Sequence, residues 1–121
     1  MTCSRNEIEL QSCLDEWTLK GYKVYGCKAD VSTEEGRNIV LKEVEVTFNN
    51  QLDCLVNNVG FNIRKRVIDY SDDEYVRIMN TNLHSAFHLT RSMYPSFKKG
   101  TKYGASIVNI GSVGGINNLI V

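Results

Sequence analysis

Leu52-Asp53-Cys54-Leu55-Val56-Asn57-Asn58-Val59-Gly60 is a short apolar run that ends abruptly in two amides and a glycine. A continuous apolar run bounded by turn residues predicts a strand buried on both faces, as in a parallel α/β sheet. Ligands of open parallel sheets sit outside the carboxyl ends of the strands. Asn57, Asn58 and Gly60 stand at such an end. Adjacent amides in a core need partners. The same spelling also suits an ordinary Asn/Gly turn, and this stretch alone leaves both readings open.

Two units precede the run. Met1 to Cys3 reads as a strand stub. Ser4-Arg5-Asn6-Glu7 fits a capping box, and Ile8, Leu10, Leu14, Trp17 and Leu19 recur at helical spacing up to Gly21. A strand end meeting a helix start favours an anion through free backbone N–H groups, here with the Arg5 guanidinium beside them. The alternative is that Ser4 only caps and Arg5 is solvated. Tyr22 to Ala29 then reads as a strand centred on Val24 and Tyr25, closed by Asp30-Val31-Ser32. Ser32-Thr33-Glu34-Glu35 spells a second capping box, Ile39, Val40, Val44 and Phe48 mark a helix face, and Asn49-Asn50 closes it.

Beyond Gly60, residues 61–70 form a polar loop placed to cover a site. Ser71-Asp72-Asp73-Glu74 is a third capping box. A long helix is predicted from Asp72 to about Lys99, kinked by Pro95 and stopped at Gly100. Asn80 and Asn82 are poor helix formers inside it. His84 and His88 share one helix face, a spacing that can hold zinc, but the Glu of H-E-x-x-H is missing and no third ligand is evident. Packing or surface histidines are the simpler reading. Ala105 to Ile110 is a last apolar strand that ends in Gly111-Ser112-Val113-Gly114-Gly115. Ser112 there either presents its hydroxyl to a ligand or fills a turn. Strand and helix alternate throughout, which implies right-handed βαβ units and a parallel sheet.

Composition sets the outer limits. The 121 residues suit one domain, and 14 basic against 14 acidic residues leave no electrostatic footprint for nucleic acid or anionic membrane. Arg64-Lys65-Arg66 is the only tight basic cluster and reads as a solvated loop. No apolar run approaches the ~20 residues of a membrane span, and the N-terminus has no signal pattern. Cys3, Cys13, Cys27 and Cys54 lack C-x-x-C spacing, so reduced thiols and a cytoplasmic setting are expected.

Taken together, the motifs resemble the short-chain dehydrogenase/reductase family, and within it the tropinone-reductase-like proteins of plants. Thr2 to Glu7 is similar to the family's second strand and its cofactor-selecting turn. Asp30-Val31-Ser32 is similar to the D-V-S/T that holds the adenine. Asn57-Asn58-Val59-Gly60 resembles N-N-A-G, with Val59 for the usual Ala. Thr81-Asn82-Leu83 resembles the helix position of the tetrad Asn, and Gly111-Ser112 the strand end that carries the catalytic Ser.

The resemblance implies a Rossmann-like, doubly wound parallel sheet in a single partial NAD(P)-binding domain over residues 1–121. It implies an oxidoreductase that passes hydride between NADPH and a small carbonyl substrate. Ser4 and Arg5 would bind the 2′-phosphate of NADP. NAD-type sites place an acid at this turn, whereas Ser4-Arg5-Asn6 offers donors and a positive charge. Asp30, with Val31, would receive the adenine. Asn57, Asn58 and Gly60 would line the cofactor ribose and tie strands together. Asn82 would hold a water in a proton relay, and Ser112 would hydrogen-bond the substrate carbonyl. No metal is implied. Homo-oligomers, or hetero-oligomers with relatives, are expected.

Two departures qualify this. No first strand with a T-G-x-x-x-G-x-G turn precedes Met1, and no Y-x-x-x-K general acid/base pair follows Ser112; Tyr94 and Tyr103 come before it. The chain therefore looks truncated at both ends, and it is expected to be inactive alone. The family's sheet order, 3-2-1-4-5, puts its first strand between the second and the fourth. The Met1–Cys3 stub and the Leu52–Asn57 strand would lose their shared neighbour and expose unpaired backbone groups. Marginal stability is the expected result. The alternative function is that of a non-catalytic relative, an interaction module pairing with full-length family members.

Overall fold

The structure, a computed structural model, describes residues 1–98 and 104–112. Strand β1 (Thr2–Ser4) leads into helix α1 (Glu7–Leu19), and β2 (Gly26–Lys28) into α2 (Glu34–Phe48). Strand β3 (Cys54–Asn57) runs through a loop into α3 (Asp72–Met79), which continues through Asn80–His84 into α4 (Ser85–Lys98); β4 (Ser106–Asn109) follows. The alternation read from the sequence is present, and both strand pairings are parallel.

The strands do not form one sheet. Thr2, Cys3 and Ser4 pair with Gly26, Cys27 and Lys28 in one two-stranded sheet, and Cys54–Asn57 pair with Ser106–Asn109 in another. Helices α2 and α4 pack on each other and bridge the two. Their contact is the core: Val40 and Val44 from α2, Leu89 and Met93 from α4, and Cys27, Ala29 and Val31 from the second strand and its exit. Met93 is the most deeply buried of these, at 1% exposure. The Leu52 N–H donates to the Ser96 carbonyl at 3.2 Å, and the Ser96 hydroxyl to Asn50 Oδ1 at 2.7 Å, which fixes the entry to β3 against α4.

Several boundaries differ from the expectation. The second strand begins at Gly26, not Tyr22; Tyr22 and Tyr25 are exposed, because β1 is too short to pair with the earlier residues. The N-cap of α1 is Asn6, whose Oδ1 accepts from the Ile8 and Glu9 N–H groups, and Ser4 Oγ accepts from the Asn6 N–H. Only Leu10 of the predicted α1 face is buried, while Ile8 and Leu19 are exposed. Thr33, not Ser32, caps α2, and its hydroxyl accepts from Gly36 N–H at 3.0 Å. Ile39 lies outside the α2 core face. Asn49 closes α2 in the left-handed region at φ 50°, as expected. The Ser71–Glu74 capping box forms as read.

The central run is not buried on both faces. Cys54 and Val56 are exposed, since α4 covers only one face of the β3–β4 sheet. The long helix is broken at Asn80–His84, a single π turn in which the Ser85 N–H reaches back to the Asn80 carbonyl, while Pro95 lies within α4. The expected stop at Gly100, Tyr103, and residues 113–121 with Gly114 and Gly115 lie outside the described residues.

Candidate functional site

The strand ends gather the polar groups. At the exit of β1, Arg5 faces Asp30 at the exit of β2, with guanidinium and carboxylate 3.8 Å apart and both side chains part-exposed. The other Asp30 oxygen accepts from the Ser32 N–H at 3.0 Å and its hydroxyl at 2.6 Å. Burial pushes the Asp30 carboxyl up, but the two Ser32 bonds and the charges of Arg5 and Arg77 outweigh it and hold it below its ordinary range. Val31 beneath is buried, and its carbonyl accepts from the Arg37 guanidinium at 3.1 Å. An ideal Cβ on Gly36 would sit 1.9 Å from the Asp30 carbonyl oxygen, so only glycine lets α2 start this close to the Asp30 turn.

At the exit of β3, Asn57 Nδ2 donates to Asn109 Oδ1 at 2.9 Å and to Thr90 Oγ1 at 3.3 Å. One amide thus ties β3 to its sheet neighbour and to α4. The Asn82 side chain is spent on the backbone of Phe61: its Oδ1 accepts from the N–H at 3.0 Å and its Nδ2 donates to the carbonyl at 2.9 Å. The π turn aims Asn82 there, at the cost of regular helix bonding; such turns recur at functional sites. The Thr81 hydroxyl within it is buried without a hydrogen-bond partner. Gly60 lies under Asn82, 3.6 Å from Cβ position to Oδ1. Asn58 lines the hollow between the two sheets together with Asn57 and Asn82. Ser112 follows β4 and is exposed.

The loop over the site is pinned. The Arg77 guanidinium stacks 4.8 Å above the Phe61 ring, the Tyr70 hydroxyl donates to the Ile63 carbonyl, and Lys65 pairs with Glu74. Arg66 pairs with Asp69 at 2.8 Å, so two charges of the basic cluster are answered locally. The Arg77 guanidinium that stacks on Phe61 beyond β3 also lowers the pKa of Asp30 at the exit of β2. His84 Nδ1 bonds Asn80 Oδ1 at 2.9 Å. Burial, then Arg37 and Arg91, push the His88 ring below its ordinary pKa. The spelling Y-x-x-x-K does occur at Tyr94–Lys98, but on the α4 segment beside Leu52, at the opposite end of β3 from Asn57.

Sequence reasoning missed Thr90, Asn109, Arg77 and the Phe61 backbone. One signal was available: β3 and β4 both end in Val-Asn, and Asn57 and Asn109 are register partners.

The short chain dehydrogenase family profile matches residues 1–121, the whole chain. The chain belongs to the short-chain dehydrogenase family. It is an oxidoreductase family, and the tropinone reductase homologues that the chain matches include plant proteins. A tropinone reductase homologue of Arabidopsis thaliana is 43% identical over 118 residues, covering 98% of this chain and 44% of that protein. A second Arabidopsis homologue, described as chloroplastic, is 42% identical over 98% of this chain and 36% of its own length. The chain thus spans less than half of these relatives. A solved 7α-hydroxysteroid dehydrogenase, complexed with NADH and 7-oxo glycochenodeoxycholic acid, superposes with a TM-score of 0.86 at 25% identity, over 98% of this chain and 46% of that one. The family's Rossmann fold is thereby matched by the α/β alternation and parallel pairing described above. Among the described residues, no helix is long and apolar enough to cross a membrane.

Proposed function

We propose that residues 1–121 are a partial NAD(P)-binding domain that carries the adenosine 2′-phosphate end of an NADP-dependent oxidoreductase acting on small carbonyl compounds. The observation that carries this is the Ser4-Arg5 turn. A part-exposed guanidinium stands at the exit of β1 in loose contact with Asp30, and no carboxylate occupies the turn itself. A 2′-phosphate needs a cation there, whereas a free ribose needs an acid. The residues present fit this end of the cofactor. Arg5 has one longer contact to give up, and the Asp30 oxygen facing it is open to an adenine amino group.

The bound cofactor would supply the hydride. This chain's residues would bind and orient. Asn57 and Asn58 would border the nicotinamide-side ribose. Ser112 would donate to the substrate carbonyl. With both side-chain amide atoms engaged by Phe61, Asn82 would fix the covering loop rather than hold a water through its side chain. A general acid needs a positioned proton. The Tyr–Lys pair that supplies it in the family is not among residues 113–121, and Tyr94–Lys98 is at the wrong end of β3. These 121 residues are therefore expected to bind without turnover.

The test is calorimetric titration of NADPH and NADH into the chain and into Arg5→Ala. A hydrogen bond to a charged group contributes about 1.5–3 kcal/mol, or ~10–100-fold. The proposal expects NADPH to bind the native chain more tightly by such a factor, with the preference lost in Arg5→Ala and NADH unaffected. Equal affinities in the native chain would refute NADP selection by Arg5.

A further inference from the structure

Cys3 and Cys27 are register partners in the parallel β1–β2 ladder. Partners in register project their side chains from the same face of a sheet. A second observation fixes which face. An ideal Cβ on Gly26 would meet Leu14 of α1 at 2.7 Å, so Cys27, the next residue, points the opposite way. There it joins Val40 and Val44 of α2 in the core, and Cys3 packs against the same cluster. Cys27 is buried, Cys3 is half-buried, and both are free thiols. A charge on Cys3 is felt at Cys27. Two sulfur nucleophiles thus stand side by side under α2, and neither has a part in the binding proposed above.

We propose that Cys3 and Cys27 are a redox pair, a dithiol that a hydroperoxide converts reversibly to a disulfide joining β1 to β2. Spacing allows it. Neighbouring strands lie about 4.8 Å apart, inside the roughly 4.4–6.8 Å that separates the α-carbons of a disulfide. The β-carbons must come to about 3.8 Å, so the two strands draw slightly together at this step. A two-stranded ladder of three residues per strand can yield in that way. A bond that strains its ladder is readily reduced, which suits a reversible modification. The other two thiols lack such a neighbour: Cys13 is exposed on α1, and Cys54, exposed on β3, is in register with Ser106.

The step balances in oxygen and electrons. The Cys3 sulfur, the less buried of the two, takes one oxygen from the hydroperoxide and becomes a sulfenic acid; the rest of the oxidant leaves as water or an alcohol. The Cys27 sulfur then attacks the Cys3 sulfur. The S–O bond breaks, the S–S bond forms, and the hydroxyl leaves as water with the proton of the Cys27 thiol. Two electrons pass from the dithiol to the peroxide bond. Burial raises both thiols, and Cys3 and the Glu43 carboxylate add to it at Cys27, which reaches about 11. The thiolate that starts the reaction is scarce at neutral pH, so the rate should rise about tenfold from pH 7 to pH 8. The bond would join the strands whose exits carry Arg5 and Asp30, but the inference does not rest on nucleotide binding.

The experiment exposes the full 121-residue chain, reduced and freed of reductant, to hydrogen peroxide. Remaining thiols are then blocked with N-ethylmaleimide and the peptides mapped by mass. The peptide linking Cys3 to Cys27 should be about tenfold or more above any other linkage, because oriented neighbours react far faster than distant groups. Dithiothreitol should return both thiols. Cys13 and Cys54 should carry oxygen or the blocking group instead. In denaturing urea the preference should pass to Cys3 with Cys13, the pair that closes the shorter loop. A Cys27→Ala chain should accumulate oxygen on Cys3. Cys3 and Cys27 remaining thiols under peroxide that oxidises Cys13 and Cys54 would overturn the proposal. So would Cys3–Cys13 as the main linkage in native buffer, or linkage of Cys3 chiefly between chains.

Discussion

The Asn82 side chain acts as a strand neighbour to Phe61, accepting from its N–H at 3.0 Å and donating to its carbonyl at 2.9 Å. The residue comes from a helix and its partner from a loop, so this one amide locks the covering segment to the helix that supports it. Asn82→Ala should cost about 1–2 kcal/mol, the net worth of the two bonds, and the Phe61 amide should exchange faster. Asn82→Asp keeps the acceptor and loses the donor, so it should fall between. Denaturant unfolding and hydrogen exchange read both; an unaltered Phe61 amide in Asn82→Ala would show that the loop is held by other contacts.

Gly36 is required by packing. A methyl group there meets the Asp30 backbone 1.9 Å away, and backbone cannot swing aside as a side chain can. Overpacking costs typically 1–3 kcal/mol, and Gly36→Ala should lie at about the upper end of that range. Thermal unfolding measures it. The same variant should disturb the Asp30 and Val31 amide shifts, since relief requires α2 to draw back from their turn.

The Asp30 carboxyl gives a pH dependence of known sign. It titrates lower in the fold than in the unfolded chain, mainly through Ser32 against the opposing effect of burial. Its stabilising contribution is therefore complete above the unfolded carboxylate range and is lost as pH falls through the folded value. Ser32→Ala should raise the Asp30 pKa and reduce stability at neutral pH. The two proteins should converge in stability in strong acid, where Asp30 is protonated in both states. Carboxyl NMR titration reads the pKa directly.

The thiols should divide by burial. Burial, aided by Cys3 and Glu43, pushes Cys27 up to about 11, and burial also raises Cys3. Near pH 8 only about one Cys27 in a thousand is thiolate, the reactive form. Iodoacetamide should modify the exposed Cys13 and Cys54 first and Cys27 last in the folded chain, with the differences abolished in denaturant. Peptide mass mapping over time gives the order. Early labelling of Cys27 would mean that the α2–β2 packing opens readily.

The alternation of strands and helices was legible because each unit carries its own periodicity and stop signal. Strand lengths were not. Tyr22 to Tyr25 has strand-like residues, but a ladder extends only as far as its partner, and β1 is three residues long. Caps were half legible: the capping-box spelling put the first cap at Ser4, whereas the helical backbone begins only after Asn6, which takes the cap. The break in the long helix was signalled by Asn80 and Asn82 rather than by Pro95, which a helix packed on a core can carry. The Asn57, Thr90 and Asn109 cluster needed the register of β3 with β4 and the position of α4, neither of which one chain segment encodes. The closeness of Arg5 and Asp30, by contrast, follows from the sheet order that the family resemblance implies, which sets β1 beside β2.

The central claim is that the β1 exit selects a 2′-phosphate through Arg5. The most direct measurement is an NMR titration of the chain with adenosine 2′,5′-bisphosphate and with adenosine 5′-monophosphate. The account predicts that the bisphosphate shifts the Ser4, Arg5, Asp30 and Val31 amides, that the monophosphate does so far more weakly, and that Arg5→Ala removes the difference. Equal shifts from both nucleotides, or shifts confined to residues away from these strand ends, would contradict it.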